Sequence, residues 1–171
     1  KFKKIVTQCP HCFTTLKNDY SELGADLDVV HHSQFIGQLV SEGKIKPKSW
    51  MDEDVTYHDA CYLGRHNDEY DAPRDVIQSV MRDGELKEME QSKEKSFCCG
   101  AGGGNMWYEI KTGERINQNR FEQAAETGAT TVATACNFCN IMMEDGMKVT
   151  GNDEKMKVVD IAELVAQSFT K

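Results

Sequence analysis

Cysteines carry the chemistry of this 171-residue chain, and their spacing decides what that chemistry is. Cys61 is followed by Phe97-Cys98-Cys99-Gly100 and then Cys136-Asn137-Phe138-Cys139, with 36 residues between Cys61 and Cys98 and another 36 between Cys99 and Cys136. A structural zinc ion takes four ligands in a tetrahedron, so five co-located thiolates exceed what one such ion uses. An iron-sulfur group is the commonest object with several metal atoms that takes them. The pattern therefore points to an electron carrier. An earlier pair, Cys9-Pro10-His11-Cys12, repeats the C-x-x-C spacing.

The residues around these thiols support the same reading. Adjacent cysteines direct their side chains apart in most backbone conformations, so Cys98 and Cys99 suit different atoms of a polynuclear group better than one ion. Gly100, Gly102 and Gly103 lack Cβ atoms, which lets the backbone approach inorganic sulfide and aim N–H groups at it. No Lys-Ser/Thr follows the glycines, and the run matches neither the phosphate loop nor the dinucleotide fingerprint. His58 stands where a strand end would let it donate to sulfur or shuttle a proton, and a structural histidine reads equally well there. Arg65 and His66 are placed to balance the negative charge of the site, or else are solvated loop residues. Trp107 and Tyr108 read as a packing anchor, and Met142, Met143 and Met147 as core residues of a helix face. The mixed charges from Lys87 to Lys95 read as a solvated edge or loop.

Composition narrows the setting. Twenty Lys and Arg against 28 Asp and Glu leave a formal net charge of -8, which repels phosphate backbones and argues against a nucleic-acid partner. Seven is an odd number of cysteines, and clustered C-x-x-C pairs suit a metal better than a secreted disulfide framework. A reducing, cytoplasmic setting is expected. The start of the chain shows no secretory signal, and the longest uncharged stretch, 127–143, is polar and short of the roughly 20 apolar residues a bilayer needs.

The elements that must position the thiols follow from periodicity. Strands are expected at Lys4-Thr7, Asp28-His31, Val55-His58, Leu86-Met89, Thr130-Thr134 and Lys157-Asp160, where short apolar runs end in turn residues. Phe35, Ile36, Leu39 and Val40 form one helical stripe; Ile161, Leu164, Val165, Ser168 and Phe169 form another. Alternating strands and helices predict an α/β fold, mostly parallel sheet with flanking helices. Both C-x-x-C pairs then sit just past a strand and at a helix start, the edge where ligands bind in such sheets, and where free N–H groups favour thiolates. Cys61 follows its strand in the same way.

An internal repeat organises the chain. Ile5-Val6-Thr7-Gln8-Cys9-Pro10-His11-Cys12 leading to Val29-Val30-His31 is echoed by Val132-Ala133-Thr134-Ala135-Cys136-Asn137-Phe138-Cys139 leading to Val158-Val159-Asp160. The offset is 136 minus 9, or 127, at the cysteines and 159 minus 30, or 129, at the valines, so one two-residue insertion reconciles the copies. His31 and His32 then read as a strand end. His11, opposite Asn137 in the other copy, reads as a stray zinc ligand at most. The expectation is two pseudo-repeated units, residues 1–46 as the carboxy-terminal half of a truncated first unit and 47–171 as a complete second one. The polar stretch from Gly43 to Asp54, with Pro47, is the seam.

Cys61, Cys98-Cys99-Gly100 and Cys136-x-x-Cys139 together resemble the CCG motif of the heterodisulfide reductase B-subunit-like iron-sulfur oxidoreductases. Tyr57-His58-Asp59-Ala60-Cys61-Tyr62-Leu63-Gly64-Arg65-His66-Asn67 and Cys98-Cys99-Gly100-Ala101-Gly102-Gly103-Gly104-Asn105-Met106-Trp107 are most similar to the membrane-linked branch that accepts electrons from electron-transfer flavoprotein. The resemblance implies a noncubane 4Fe-4S cluster on Cys61, Cys98, Cys99, Cys136 and Cys139, with Cys9 and Cys12 as the last two ligands of a first motif. It further implies a flavoprotein electron donor, a ferredoxin-like or membrane portion upstream in the same polypeptide, and attachment to the inner face of a membrane through that portion. The fragment alone is then not a competent enzyme. Two other classes stand beside this one. Four of the five cysteines would hold a structural zinc, or Cys98-Cys99 or a C-x-x-C pair would act as a metal-free thiol-disulfide oxidoreductase.

Overall fold

A computed structural model describes residues 4–108 and 112–170. Its centre is a four-stranded, all-parallel sheet of β3 (Val55–His58), β4 (Leu86–Lys87), β5 (Thr131–Thr134) and β6 (Lys157–Asp160), in the order β4-β3-β5-β6. A second, two-stranded parallel sheet pairs β1 (Ile5–Thr7) with β2 (Val29–His31). The helices are α1 (Pro10–Thr14), α2 (Tyr20–Glu22), α3 (His32–Ser41), α4 (Cys61–Asn67), α5 (Asp71–Gln78), α6 (Ile116–Glu126), α7 (Asn137–Val149) and α8 (Ile161–Gln167), with a π-helical turn, Thr15–Asp19, joining α1 to α2. The α/β fold expected from the alternation of elements is present. The six strands stand where the apolar runs place them, though β4 stops at Lys87 rather than running to Met89.

Burial explains why the strands read as continuous apolar runs. Every residue of β3 and β5 is buried, as expected when helices cover both faces of a parallel sheet. Alternate residues go to opposite faces. Val55, Tyr57, Ala133 and Val159 pack with Val76, Ile77, Ile161 and Leu164 from α5 and α8. Val132 and Val158 pack with Phe121, Met143 and Met147 from α6 and α7. Met142, Met143 and Met147 are thus core residues, as their spacing predicts. Phe169 is different: α8 ends at Gln167, so this last member of the stripe is half exposed.

The repeat in the sequence has a structural counterpart. Ile5 pairs with Val29 in the small sheet, and Val132, the residue opposite Ile5 in the repeat, pairs with Val158 in the large one. The two-residue insertion therefore falls between the paired strands and leaves the register untouched. The 43–54 stretch lacks helix and strand apart from a bridge between Met51 and Met81. It is nevertheless held firmly: the Trp50 and Met51 N–H groups donate to the Val80 carbonyl, the Trp50 indole donates to the Leu164 carbonyl, and Met51 is buried. Among the described residues no helix is long and apolar enough to cross a membrane.

Candidate iron-sulfur site

The order β4-β3-β5-β6 means that the chain leaves β3 towards one side and returns on the other, so β3 and β5 flank the point where the winding reverses. Loops diverge there beyond the carboxyl ends of the strands and leave a crevice. Cys61, the first residue of α4, follows β3 by three residues; Cys136, the N-cap of α7, follows β5 by two, and Cys139 lies in the first turn of α7. Cys98 and Cys99 reach the same crevice on an irregular segment between a 3-10 turn, Lys93–Lys95, and a second one, Gly102–Trp107. All five cysteines line one cavity, with Pro10, His11, Tyr62, Gly102 and Phe138 among its other walls.

Polar contacts hold the Cys98-Cys99 segment in place. The backbone N–H of Lys93 donates to Asp59 Oδ2 at 2.8 Å, the Arg65 guanidinium donates to the Ser96 carbonyl, and Arg120 Nη1 donates to the Gln91 carbonyl at 3.0 Å. Asp59 is fixed in turn by Arg74, whose Nη1 and Nη2 reach its two oxygens at 2.8 and 2.9 Å in a buried ion pair. Arg74 also binds Glu88 and lies over the Tyr57 ring. The Gly100 N–H donates to Cys98 Sγ at 3.3 Å from a backbone with φ of 88°, a conformation open chiefly to glycine.

The sulfurs form one connected chain. Cys98 is held far below the ordinary thiol range by hydrogen bonds from Cys61 first and from Cys99 next. Cys136 falls to about 5, because the Cys139 thiol donates to it and, against the cost of burial, His11 and the N–H groups of Cys139 and Phe138 add to the effect. The donors move the other way. The bond to Cys98 pushes Cys61 up, and bonds to Cys136 and Cys99 do the same to Cys139. At Cys99 the bond from Cys139 is outweighed by the bond to Cys98 and by burial, which leave it at about 12. Hydrogen bonding among the sulfurs thus favours the thiolate form at Cys98 and, at the N-terminus of α7, at Cys136, where helix N–H groups add to the effect.

The expected neighbours divide. His58 is at the site: one ring nitrogen lies within 4.8 Å of the sulfurs of both Cys99 and Cys139. Gly102 lines the cavity, whereas Gly103 stands beyond it at a φ of 67°. Arg65 is engaged with Ser96, and His66 stacks on Tyr62 at 4.3 Å; neither lines the cavity. Cys9 and Cys12 hydrogen-bond to each other outside it, and burial raises the Cys9 thiol. The packing-anchor reading of Trp107 and Tyr108 is wrong: they are 78% and 68% exposed, because two successive glycines at positive φ turn this segment outward.

Sequence reasoning missed three participants. His11 stacks on Tyr62 at 3.9 Å and hydrogen-bonds to Cys136, so the early C-x-x-C segment supplies a wall of the later thiol site. Arg120 is fully buried and donates through Nε to His58 Nδ1 at 2.9 Å. The Asp59–Arg74 pair orders the loop before Cys61. Asp59 was visible beside His58, but no local signal marks Arg74 or Arg120 as buried, since both lie on helices rich in charge.

Residues 55–144, which contain all five cysteines, match the family model of the CCG cysteine-rich domain. The chain belongs to the cysteine-rich CCG domain family. This CCG chain is 43% identical over 166 residues to a probable iron-sulfur-binding oxidoreductase, FadF, of Bacillus subtilis, covering 97% of the chain and 23% of the relative. It is also 43% identical over 170 residues to an EtfAB:quinone oxidoreductase of Syntrophomonas wolfei, 95% of the chain and 24% of the relative. Against one subunit of the dihydromethanophenazine:CoB--CoM heterodisulfide reductase of Methanosarcina barkeri the identity is 37%, over 98% of the chain and 41% of the relative. The CCG chain therefore spans about a quarter of the length of the first two.

Proposed function

We propose that this CCG chain is an electron-transfer module of an iron-sulfur oxidoreductase. In this reading Cys61, Cys98, Cys99, Cys136 and Cys139 hold a 4Fe-4S cluster, of noncubane type. The observation that carries it is the convergence of five sulfurs on one cavity, an all-thiol donor set that suits iron-sulfur groups and exceeds the four ligands of a structural zinc. The names of relatives in two distinct enzyme settings, quinone and heterodisulfide reduction, support the redox assignment.

A bound cluster supplies reversible one-electron chemistry. The chain's own residues provide everything around it. Hydrogen bonds from neighbouring thiols lower the pKa of Cys98 and Cys136 and so favour the thiolates that ligation needs. The Gly100 N–H is aimed at Cys98 sulfur, and His11, Tyr62 and Phe138 wall the site from water. The cavity among the sulfurs holds about 30 Å³, roughly one water, so loading requires the sulfurs to part. The exposed Gly102–Trp107 turn is the wall best able to yield. Cys9 and Cys12 are proposed as the closing ligands of a separate first motif, within a two-unit arrangement of residues 1–46 and 47–171.

The same reading proposes a flavoprotein or ferredoxin-type donor, a quinone, flavin or disulfide acceptor, and a place at the cytoplasmic face of a membrane. Anaerobic reconstitution with iron and sulfide tests the core of it. Wild-type protein is expected to take up about four irons with matching sulfide and show a paramagnetic signal, which Cys99→Ser abolishes or converts. Uptake of zinc alone, or an unchanged iron content and spectrum in Cys99→Ser, overturns the assignment.

A further inference from the structure

Arg120 is a buried cation that, among the described residues, hydrogen-bonds to no anion. It is 0% exposed, and its donors go to neutral acceptors: His58 Nδ1 at 2.9 Å, the Gln91 carbonyl at 3.0 Å and Gln123 Oε1 at 2.7 Å. Its Nη2 is buried with no hydrogen-bond partner. Among the described residues no carboxylate pairs with it. The buried Asp59 is taken by Arg74 through both oxygens. Leaving a buried charge uncompensated is costly, so an arrangement of this kind calls for a negative group nearby. Burial lowers the Arg120 pKa to about 10, and against it Asp59 first, then the sulfurs of Cys139, Cys99 and Cys98, favour the charged form.

His58 connects the two. Its Nδ1 accepts from Arg120, so the neutral ring carries its proton on Nε2, and one ring nitrogen lies within 4.8 Å of the sulfurs of Cys99 and Cys139. We propose that Arg120 is the positioning counter-charge of the thiol site: it fixes the His58 tautomer that presents an N–H towards sulfur, and its guanidinium offsets the negative charge of a cluster held by the cysteines. This rests on the iron-sulfur reading for the cluster and on the geometry alone for His58.

A cation held close to a cluster favours the reduced, more negative form and so raises the reduction potential. In the iron-loaded protein, Arg120→Gln is expected to lower the midpoint potential at unchanged iron content, while Arg120→Lys stays nearer wild type. Because Arg120→Gln puts folding at risk, Gln123→Glu is the second variant. It places a carboxylate on Nη1, neutralising the guanidinium without removing it, and is expected to lower the potential as well. If Arg120→Lys and Arg120→Gln fall together, or if Gln123→Glu leaves the potential unchanged, Arg120 is merely structural and the proposal is overturned. If wild-type protein binds no iron, the cluster reading fails separately, and the His58 ring-nitrogen chemical shifts of the metal-free protein decide. A ring protonated on Nε2 in wild type that becomes a mixture of tautomers in Arg120→Gln supports the positioning role; the same tautomer in both overturns it.

Discussion

His31 and Asp160 perform the same local task at equivalent places in the repeat. Each caps a helix that follows a strand, accepting from the N–H two residues on, while the side chain three residues on, Gln34 or Glu163, receives its own backbone N–H. The two ends also meet: Asp160 accepts from Gln8 at 3.0 Å and contacts His32 at 3.1 Å, tying the small sheet to the large one. A carboxylate and an imidazole can share the role because each is an acceptor when unprotonated.

Acid stability should show the cost of using a histidine there. Burial, then the neighbouring His32, holds His31 down to about 4, against about 6.5 in an unfolded chain. Stability is full above about 6.5 and falls as pH drops towards about 4, because the unfolded chain takes up the proton first; the loss is up to about 3 kcal/mol. Urea midpoints of wild type and His31→Asn, which keeps a capping acceptor, should converge as pH falls across this window. Parallel curves would show that His31 contributes nothing to the slope.

Arg74→Met should destabilise the chain by about 3–5 kcal/mol, because it strands the buried Asp59 carboxylate. The double variant with Asp59→Asn should recover much of that loss. Chemical denaturation of all four members of the cycle measures the coupling, and strict additivity would contradict it.

Gly146→Ala should destabilise, although alanine is the better helix former by about 1 kcal/mol. A Cβ there would lie 2.6 Å from the Asn117 carbonyl oxygen, at the contact between α7 and α6. We expect a loss of about 2 kcal/mol or more and a lower Tm; a gain would mean that the helices separate at little cost.

Gly100→Ala should impair loading of the site. Its φ of 88° disfavours any Cβ, and the added atom would stand 3.1 Å from Ile116 Cβ. Relief of that crowding moves the N–H that donates to Cys98. Iron bound per chain after reconstitution should fall well below wild type while the circular dichroism of the fold persists. Full loading would show that this N–H is dispensable.

Much of the site could be read before any coordinates. The strands, the two helix starts carrying C-x-x-C pairs and the repeat are local patterns, and β-branched runs, capping residues and ligand types state them directly. Trp107 and Tyr108 show where the reading failed. Large aromatic side chains favour burial on average, but positive-φ glycines at 103 and 104 set the direction of this segment, and composition does not encode that direction.

The sequence by itself determined which elements form and that five thiols are available, because backbone periodicity and donor chemistry depend on near neighbours. The tertiary structure decided which groups surround those thiols. His11 reaches Cys136 from the small sheet, and Arg120 reaches His58 across 62 positions. The reversal of strand order between β3 and β5 opens the crevice, whereas His11 comes with α1 packed on α4 and Arg120 with α6 packed on β3. No spacing along the chain records that convergence.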